Sequence, residues 1–452
     1  MDSLLTWICT RPVAAAFVLY LALVRLLRFQ RVRALKKKYG YGPSLNTIAP
    51  TALTDLTETH SLTKPSVRHS SPRVAGRPDE TARAGEAERA EKTEKGKQGR
   101  AKARRELPGL TRIANAFNLF KTYSIPTISE ILLKSKQLST AENVSRRYAD
   151  TAVLIETWTG CPIADLTRTN LKKEGADPRH AIAIARVNWL HSRWPNIKND
   201  DFIYTMSQFV LESIRWARLY GWRELLPIEQ EALFVFWKEI GHRMKIRDLP
   251  ETLQDLIDWT EKYEETDMVP AQCNYEVGKH TLDYIVSDFT EWFGVRKIMR
   301  QISLCLLEPR VRTVLLLPEP SLMAQAMTSV VMSFFAIKAR YFDLPRFKRV
   351  EYIPRHVPPQ KLKEKLPRFH PTMFDKVPWY KPEPKGIGRI WQNILLQIGY
   401  LDEQDIPSSK YKSAGYRLEE CGPVVLEQVG HAEVMKMAAE IQGCPVTGIW
   451  AR

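Results

Sequence analysis

The stretch STAENVSRRYADTAVLIETWTG, residues 139–160, decides the fold class of this chain. Its apolar residues recur every three or four positions, which is the period of an α-helix, and no part of it alternates as a strand does. It opens on Ser139 or Thr140 followed by Glu142, which is a helix-capping pattern, and it ends at Gly160. The stretch therefore predicts one long helix.

The same period continues on both sides of this helix. Upstream, residues 115–135 predict a helix, a break at Pro126 and a second helix opened by Thr127 or Ser129. Downstream, one helical segment covers residues 177–195, where the pattern runs to Pro195. A second covers residues 199–221, beginning with an Asn/Asp cap and ending at a glycine. A third, SLMAQAMTSVVMSFFAIKARYF at residues 321–342, has the same period. Because strand alternation and hairpin turns are absent from the sequence, we expect an all-α fold.

The net charge of +16 is concentrated near the N-terminus. Residues 1–63 contribute +5 (eight basic against three acidic residues) and residues 64–107 contribute +6 (thirteen against seven), which leaves about +5 for the other 345 residues. A domain so close to neutrality lacks the basic surface that nucleic-acid binding requires. We therefore expect no nucleic-acid partner.

Six cysteines are spread over the chain without a CxxC pair or a spacing typical of zinc sites. This distribution favours reduced thiols and a domain that faces the cytosol over a disulfide scaffold.

Residues 3–24 contain one charge, Arg11, and span about 33 Å as a helix, which is enough to cross a bilayer. A cleaved signal peptide is the competing interpretation, because the uninterrupted apolar run after Arg11 is short. The sequence continues with RLLRFQRVRALKKK, a basic stop, instead of small residues. We therefore predict an uncleaved single transmembrane helix with the rest of the chain in the cytosol.

Residues 43–107 are dense in Arg, Lys, Glu, Ala, Gly and Ser, and no aromatic residue occurs between Tyr41 and Phe117. Such a segment cannot bury enough apolar surface to offset its ordering entropy. The predicted organisation is an anchor with its basic flank in residues 1–42, a disordered basic linker in residues 43–109, and one helical catalytic domain in residues 110–452.

The common phosphate-binding, metalloprotease and serine-hydrolase motifs are absent, so the candidate chemistry comes from two helices. In ARVNWLHSRWP, Val187, Leu190, His191 and Trp194 share one helix face. The simplest interpretation of His191 is a hydrogen-bonded core histidine. A neutral imidazole on an apolar face is also what haem iron needs as a ligand.

On the helix of residues 139–160, Arg147 and Thr151 are one turn apart and Asp150 is adjacent. A cation, a carboxylate and a hydroxyl can therefore converge. The alternative is an exposed ion pair of little consequence.

These segments resemble the family of ER-bound oxygenases mpaB and mpaB′, whose catalytic domain is shared with the rubber oxygenases (latex-clearing proteins). The resemblance is carried by RRYADT, ARVNWLHSRW, NDDFIYTMSQFVLES, RLYGWRELLPIEQEALFVFWKEIG and WTEKYEETDMVP in this order, and covers roughly residues 115–450. It implies a globin-like helical core, haem b, and O₂-dependent cleavage of carbon–carbon double bonds in isoprenoid chains. It also implies membrane attachment at the endoplasmic reticulum.

The resemblance implies roles for individual residues. His191 matches the proximal iron ligand, and Arg147 and Thr151 match the distal turn. Asp150 stands where the rubber oxygenases have a lysine, so lysine coordination does not carry over and Asp150 is expected to act as an acid/base or orienting group. Glu130 corresponds to an upstream acid that serves as a base.

Two functions are therefore expected from the sequence. The first is a membrane-anchored haem oxygenase that acts on a small lipophilic substrate with O₂. The alternative is a non-catalytic haem-binding or lipid-binding protein at the surface of the endoplasmic reticulum, because a shared fold does not guarantee shared chemistry.

Overall fold

In a computed structural model, the chain is described for residues 12–38, 108–138, 140–161, 177–287, 289–344, 351–398, 401 and 405–451. These residues form α-helices and short irregular connections, and the only β-type pairing among them is an isolated bridge between Phe369 and Tyr416. The all-α prediction is confirmed. The predicted linker of residues 43–109 lies outside the described residues, apart from the two positions that begin a helix at Pro108.

The helices of the described residues are numbered here in chain order. They are α1 Pro12–Lys38, α2 Pro108–Tyr123, α3 Pro126–Ser135, α4 Ala141–Gly160, α5 Arg179–His191, α6 Asn199–Tyr220, α7 Pro227–Arg243, α8 Leu253–Asp267, α9 Gln272–Ser287, α10 Val295–Leu306, α11 Pro309–Val314, α12 Leu322–Ile337, α13 Ile387–Gln397 and α14 His431–Gln442.

The helix ends follow the sequence with three differences of detail. α4 begins after Thr140 and ends at Gly160, but the Thr140 hydroxyl donates to the Lys136 carbonyl and does not cap the helix. α3 begins at Pro126 itself, since proline is well suited to a first helical position. The N-terminus of α6 is capped by a residue of its own first turn, since the carboxylate of Asp201 accepts a hydrogen bond from the backbone N–H of Lys198.

α5 ends earlier than its sequence pattern suggests. The helix stops at His191, and residues 192–197 continue as turns, so Trp194 lies outside the helix. The residue before a proline is disfavoured in helical conformation, which limits the helix ahead of Pro195. His191 therefore stands at the C-terminal end of α5.

Two apolar clusters form most of the core. The first joins α4, α5, α6 and α7 to the C-terminal segment, and includes the buried rings of Trp158, Trp189 and Trp237. The second joins α2 to α6, α9, α10 and α11, and is centred on Phe117, Phe120 and Trp216. α4, which carries the predicted site residues, contributes to both clusters.

The proline-rich segment after residue 351 wraps over α4 and α5. Arg179 on α5 donates to the carbonyls of Pro354 and Arg355, both at 2.6 Å, and the indole N–H of Trp379 donates to Ser145 on α4 at 3.0 Å. The chain then returns to α5 through α14. Gly430 at the start of α14 has φ +81°, and a Cβ there would lie 2.1 Å from the ring of Trp189, so this approach requires glycine.

The contacts divide the chain into two units, residues 1–88 with 336–345, and residues 89–335 with 346–452. In the smaller unit, α1 contacts the π-helical turn Lys338–Phe342. The hydroxyl of Tyr20 donates to the carbonyl of Phe342 at 2.7 Å, and Nη2 of Arg28 donates to the carbonyl of Asp343 at 2.6 Å.

Among the described residues, one segment is long and apolar enough to cross a membrane, judged by length and composition alone: Leu322–Phe342, which is α12 and the turn that continues it. The sequence pattern grouped this segment with the core helices, but only 6% of its apolar window is buried. The transmembrane role predicted for residues 3–24 and the globin-like arrangement of the core stay predictions. The described cysteines (Cys161, Cys273, Cys305, Cys421 and Cys444) are free thiols.

Candidate functional site

A largely apolar cavity lies between α2, α3, α4, α5, α6 and α7. It brings together three of the five residues predicted from the sequence, namely Arg147 and Thr151 from α4 and His191 from α5. Its walls are built mainly from large apolar side chains: Leu119, Ile128, Ile131, Leu132, Leu138, Leu154, Ile155, Trp158, Val187, Phe202, Met206, Phe209, Trp237, Ile240, Met244 and Ile246.

His191 is held at the end of α5 with one nitrogen lacking a partner. Val187, one turn earlier, lines the cavity on the same face, and the ring of Phe202 packs 5.1 Å from the imidazole. Nδ1 of His191 is shut off from solvent and has no hydrogen-bond partner among the described residues. Burial, aided by the nearby Arg147 cation, lowers the pKa of His191 to about 4. The imidazole is therefore neutral near pH 7 and has a lone pair available.

His180, the other histidine of α5, does not share this setting. His180 begins the same helix and is buried, but its Nδ1 lies 3.2 Å from the carbonyl of Trp158 and it does not line the cavity. The simplest interpretation from the sequence, a core histidine held by a protein hydrogen bond, fits His180 better than His191.

Two adjacent arginines on α4 differ in whether a carboxylate lies beside them. Arg146 is paired, with Nη2 2.9 Å from a carboxylate oxygen of Glu427 and Nε 3.6 Å from Asp150. The guanidinium of Arg147 lines the cavity and, within the described part of the chain, makes no hydrogen bond or ion pair. Burial lowers the pKa of Arg147, while the more distant charge of Asp150 opposes that shift. The cavity thus contains an uncompensated cation, which favours a ligand with negative charge.

Thr151 lies one turn after Arg147 and faces the same space. Its hydroxyl donates to the carbonyl of Arg147 at 2.6 Å, so its oxygen keeps lone pairs for a hydrogen bond from another group.

Asp150 does not converge with Arg147 and Thr151 in the cavity. Its side chain points to the other face of α4, where the Tyr380 hydroxyl and the Gly422 N–H (3.0 Å) donate to its carboxylate and Arg146 pairs with it. Burial raises the pKa of Asp150, and these three partners oppose the shift. In this arrangement Asp150 fastens the C-terminal segment to α4, and the catalytic role expected from the sequence stays a prediction.

Glu130 also lies away from the cavity. Its carboxylate is more than half exposed and pairs with Lys134 on the next turn of α3 at 3.6 Å. α3 presents Ile128, Ile131 and Leu132 to the cavity instead. The role of Glu130 as a base likewise stays a prediction.

The structure adds polar cavity residues that sequence reasoning did not single out. Tyr123, Tyr148 and Thr205 line the cavity, and burial raises the pKa of Tyr123 to about 12. Asp201 also lines it, but its carboxylate is occupied by the hydroxyls of Thr127 (2.8 Å) and Tyr263 (2.7 Å). The available signal was the NDD sequence, which was interpreted only as a helix cap.

The residues of the cavity fit haem better than a metal ion held by protein ligands alone. Among the described residues no group of three or more His, Cys, Asp and Glu side chains could hold a metal ion. Haem supplies its own ring nitrogens and needs one axial histidine inside an apolar cavity. The unpartnered Nδ1 of His191 is the observation that supports this fit.

The fold and the cavity define a class of protein, an all-helical protein with a single-histidine candidate cofactor site. A family model described as "ER-bound oxygenase mpaB/B'/Rubber oxygenase, catalytic domain" matches residues 139–337, which include α4 and α5. This match and the relatives described next support the mpaB-like family for this chain.

Three relatives from this family are similar to the chain. It is 27% identical to ER-bound oxygenase mpaB′ of Penicillium brevicompactum over 362 residues, which is 75% of this chain and 80% of the relative. It is 31% identical to ER-bound oxygenase mpaB of Penicillium roqueforti (strain FM164), over 38% of this chain and 59% of the relative. It is 29% identical to ER-bound oxygenase mpaB of Penicillium brevicompactum, over 41% and 48%. These names support an oxygenase.

Proposed function

We propose that this protein is a membrane-anchored, haem-dependent oxygenase that cleaves a carbon–carbon double bond in a lipophilic, isoprenoid or prenylated substrate. The single observation that carries the proposal is the position of His191. An imidazole whose Nδ1 is shut off from solvent, and has no partner among the described residues, lines the same apolar cavity as the cation of Arg147. The family match supplies the reaction class.

The roles of the residues follow from their surroundings. His191 would hold haem b through a ring nitrogen, and when bound the haem supplies the activation of O₂. Arg147 stabilises negative charge that develops beside it, since it lines the apolar cavity and no anion among the described residues pairs with it. Thr151, whose hydroxyl donates to the carbonyl of Arg147, accepts a hydrogen bond at the same place. The apolar walls exclude water and select a substrate without charged groups along most of its length.

The membrane fits this substrate class, because isoprenoid chains partition into lipid. The relatives are named ER-bound, and α1 with the apolar residues before it suits an anchor with a basic cytosolic flank. The endoplasmic reticulum, with the catalytic domain facing the cytosol, is the proposed location.

The first experiment measures haem binding by absorption spectroscopy on the full chain expressed with haem supplied. We expect a Soret band in the unchanged protein, its loss or strong shift in His191→Ala, and its retention in the matched control His180→Gln. In the cavity variant His191→Gly, added imidazole should restore the band. A folded parent without a Soret band, or one unaffected by His191→Ala, would overturn the haem proposal.

The second experiment tests turnover. With O₂ and a prenylated substrate, the parent should consume O₂ and release a shortened carbonyl product, and Arg147→Met should retain the Soret band but lose turnover. A protein that binds haem and turns over no prenylated or isoprenoid compound would instead be the non-catalytic haem-binding or lipid-binding alternative.

A further inference from the structure

The segment Leu322–Phe342, called here the apolar helix, is exposed in a way that ordinary core helices are not. It is 21 residues long, or about 31 Å, and no charged residue lies between Glu319 and Lys338. A narrow stripe at four-residue spacing, Ala324, Thr328 and Met332, faces protein, and Met332 packs against the second core cluster.

Up to Ile337, the rest of its surface is mostly apolar and open, with Gln325 and Ser333 as its exposed polar residues. Seven large side chains on it are each at least 48% exposed: Leu322, Met323, Met327, Val330, Phe334, Phe335 and Ile337. Contiguous apolar surface of this kind marks a contact site for a protein or a lipid.

The fold excludes the simplest lipid arrangement, in which this helix crosses the bilayer. Residues 149–256, before the helix, and Tyr352, Ile353 and Phe369, after it, share the first core cluster. Both ends must therefore lie on one side of a membrane. A return through the hydrocarbon before Tyr352 would have to carry Arg346, Lys348 and Arg349 into lipid, which is costly for charged side chains.

We propose that the apolar helix lies in the plane of the membrane, embedded in the outer part of one leaflet, as a contact additional to the N-terminal anchor. An in-plane helix normally turns a polar face to water. In this protein the face that would otherwise turn to water is the stripe with Thr328, which packs on the domain. The opposite face is then free to contact acyl chains. This inference does not depend on haem binding or on catalysis.

Two features favour lipid over a protein partner or a second copy. Protein interfaces surround an apolar centre with a polar rim, whereas the large exposed side chains of this helix are apolar from Leu322 to Ile337 and only Gln325 and Ser333 add exposed polar groups among them. Basic residues lie in the last turn of the segment, at Lys338 and Arg340, and continue after it to Arg349, and they suit anionic headgroups.

A third feature is the contact at the C-terminal end of the helix. Phe342 accepts a hydrogen bond from Tyr20, and its ring lies 6.5 Å from the ring of Phe17. Both partners belong to α1 and lie within residues 3–24, the predicted transmembrane segment. The end of the apolar helix therefore contacts the segment that would enter the membrane.

The test uses the full chain with single added cysteines that carry an environment-sensitive fluorophore, in vesicles of phosphatidylcholine with a minor fraction of phosphatidylserine. Val330→Cys reports on the exposed face, and Gln254→Cys, on the exposed surface of α8, is the matched control. The unchanged chain labelled in the same way gives the background of the native cysteines.

We expect the label at 330 to shift its emission to shorter wavelength when vesicles are added, and to be quenched by spin-labelled lipid, while the label at 254 responds to neither. If the emission wavelength of the label at 330 does not change when vesicles are added, the proposal is overturned. A blue shift without vesicles that grows with protein concentration would also overturn it, because a second copy would then cover the helix. Should Val330→Cys fail to fold, Phe334→Cys reports on the same face.

The depth of labels in the bilayer distinguishes a helix that lies in the membrane plane from one that crosses the membrane. Labels at Met323 and Ile337 lie near opposite ends of the helix. Lipids that carry the spin label at different carbons should place both labels at the same shallow depth. Clearly different depths would show a crossing helix and would refute the in-plane arrangement.

Discussion

The two faces of α4 carry similar polar side chains. Those on one face pair with other parts of the protein, and those on the other face have no such partner among the described residues. On the face toward the C-terminal segment, Arg146 and Asp150 are paired with each other and with Glu427, Tyr380 and Gly422. On the face toward the cavity, Arg147 and Thr151 have no protein partner in the described chain beyond a bond to their own helix.

This difference separates polar groups that stabilise the fold from polar groups that are free to act on a ligand. Leaving a buried cation unpaired costs stability, and a fold tolerates that cost where a ligand or a developing charge will compensate it. Substitutions on the two faces should therefore have opposite consequences for stability and for activity.

The largest expected effect is on the paired face. Asp150→Ala should lower the free energy of unfolding by about 3–5 kcal/mol, because it leaves the Arg146 charge and the Gly422 N–H inside the protein with fewer partners. Denaturant unfolding measures this. Asp150→Asn should cost less, since burial already raises the pKa of this carboxyl and disfavours its charge. A stable but inactive Asp150→Asn protein would instead support the acid/base role expected from the sequence.

The two adjacent arginines give the sharpest contrast. Arg146→Met should lower the free energy of unfolding by about 1.5–3 kcal/mol, because it removes charged hydrogen bonds. Arg147→Met should leave that free energy unchanged within about 1 kcal/mol or raise it, and reduce turnover about 100-fold or more. Equal losses of stability in the two variants, measured side by side, would show that Arg147 is structural as well.

Thr151 tests the cavity face on a smaller scale. Thr151→Val keeps the shape of the side chain and removes its hydroxyl. Because that hydroxyl donates to the carbonyl of Arg147 in its own helix, its loss should change the free energy of unfolding by less than about 1 kcal/mol. Turnover should fall while the Soret band remains. Unaltered turnover would remove Thr151 from the site.

The smallest expected effect concerns pH. Burial raises the pKa of Glu427, but hydrogen bonds from Lys412 and Arg146 outweigh it, so the pKa in the fold lies below the usual 4.5. Its stabilisation is therefore present above about pH 4.5 and is lost as the pH falls through the lowered value. Glu427→Gln should cost less than about 1 kcal/mol at pH 7 and flatten the acid side of the stability curve. An unchanged acid slope would contradict this assignment.

Part of the site was predictable from the sequence. Residues one turn apart share a helix face, so Arg147 was expected with Thr151, and His191 with Val187. The same rule pairs Arg146 with Asp150, which are one turn apart, and this pairing is the one that the structure shows. The resemblance points to Glu130, but a resemblance in sequence does not state which way a residue on α3 faces.

The sequence by itself determined the helices, the basic N-terminal region and the pairs of residues that lie one turn apart, because these depend on period, composition and backbone geometry within a few residues. Only the tertiary structure decided which face of α4 borders the cavity, that Asp150 is fastened to the C-terminal segment, and that the segment of residues 321–342 is exposed. The physical reason is that periodicity states which side chains share a face but not which distant segment covers it. Burial, pairing and the shift of a pKa all depend on that covering segment.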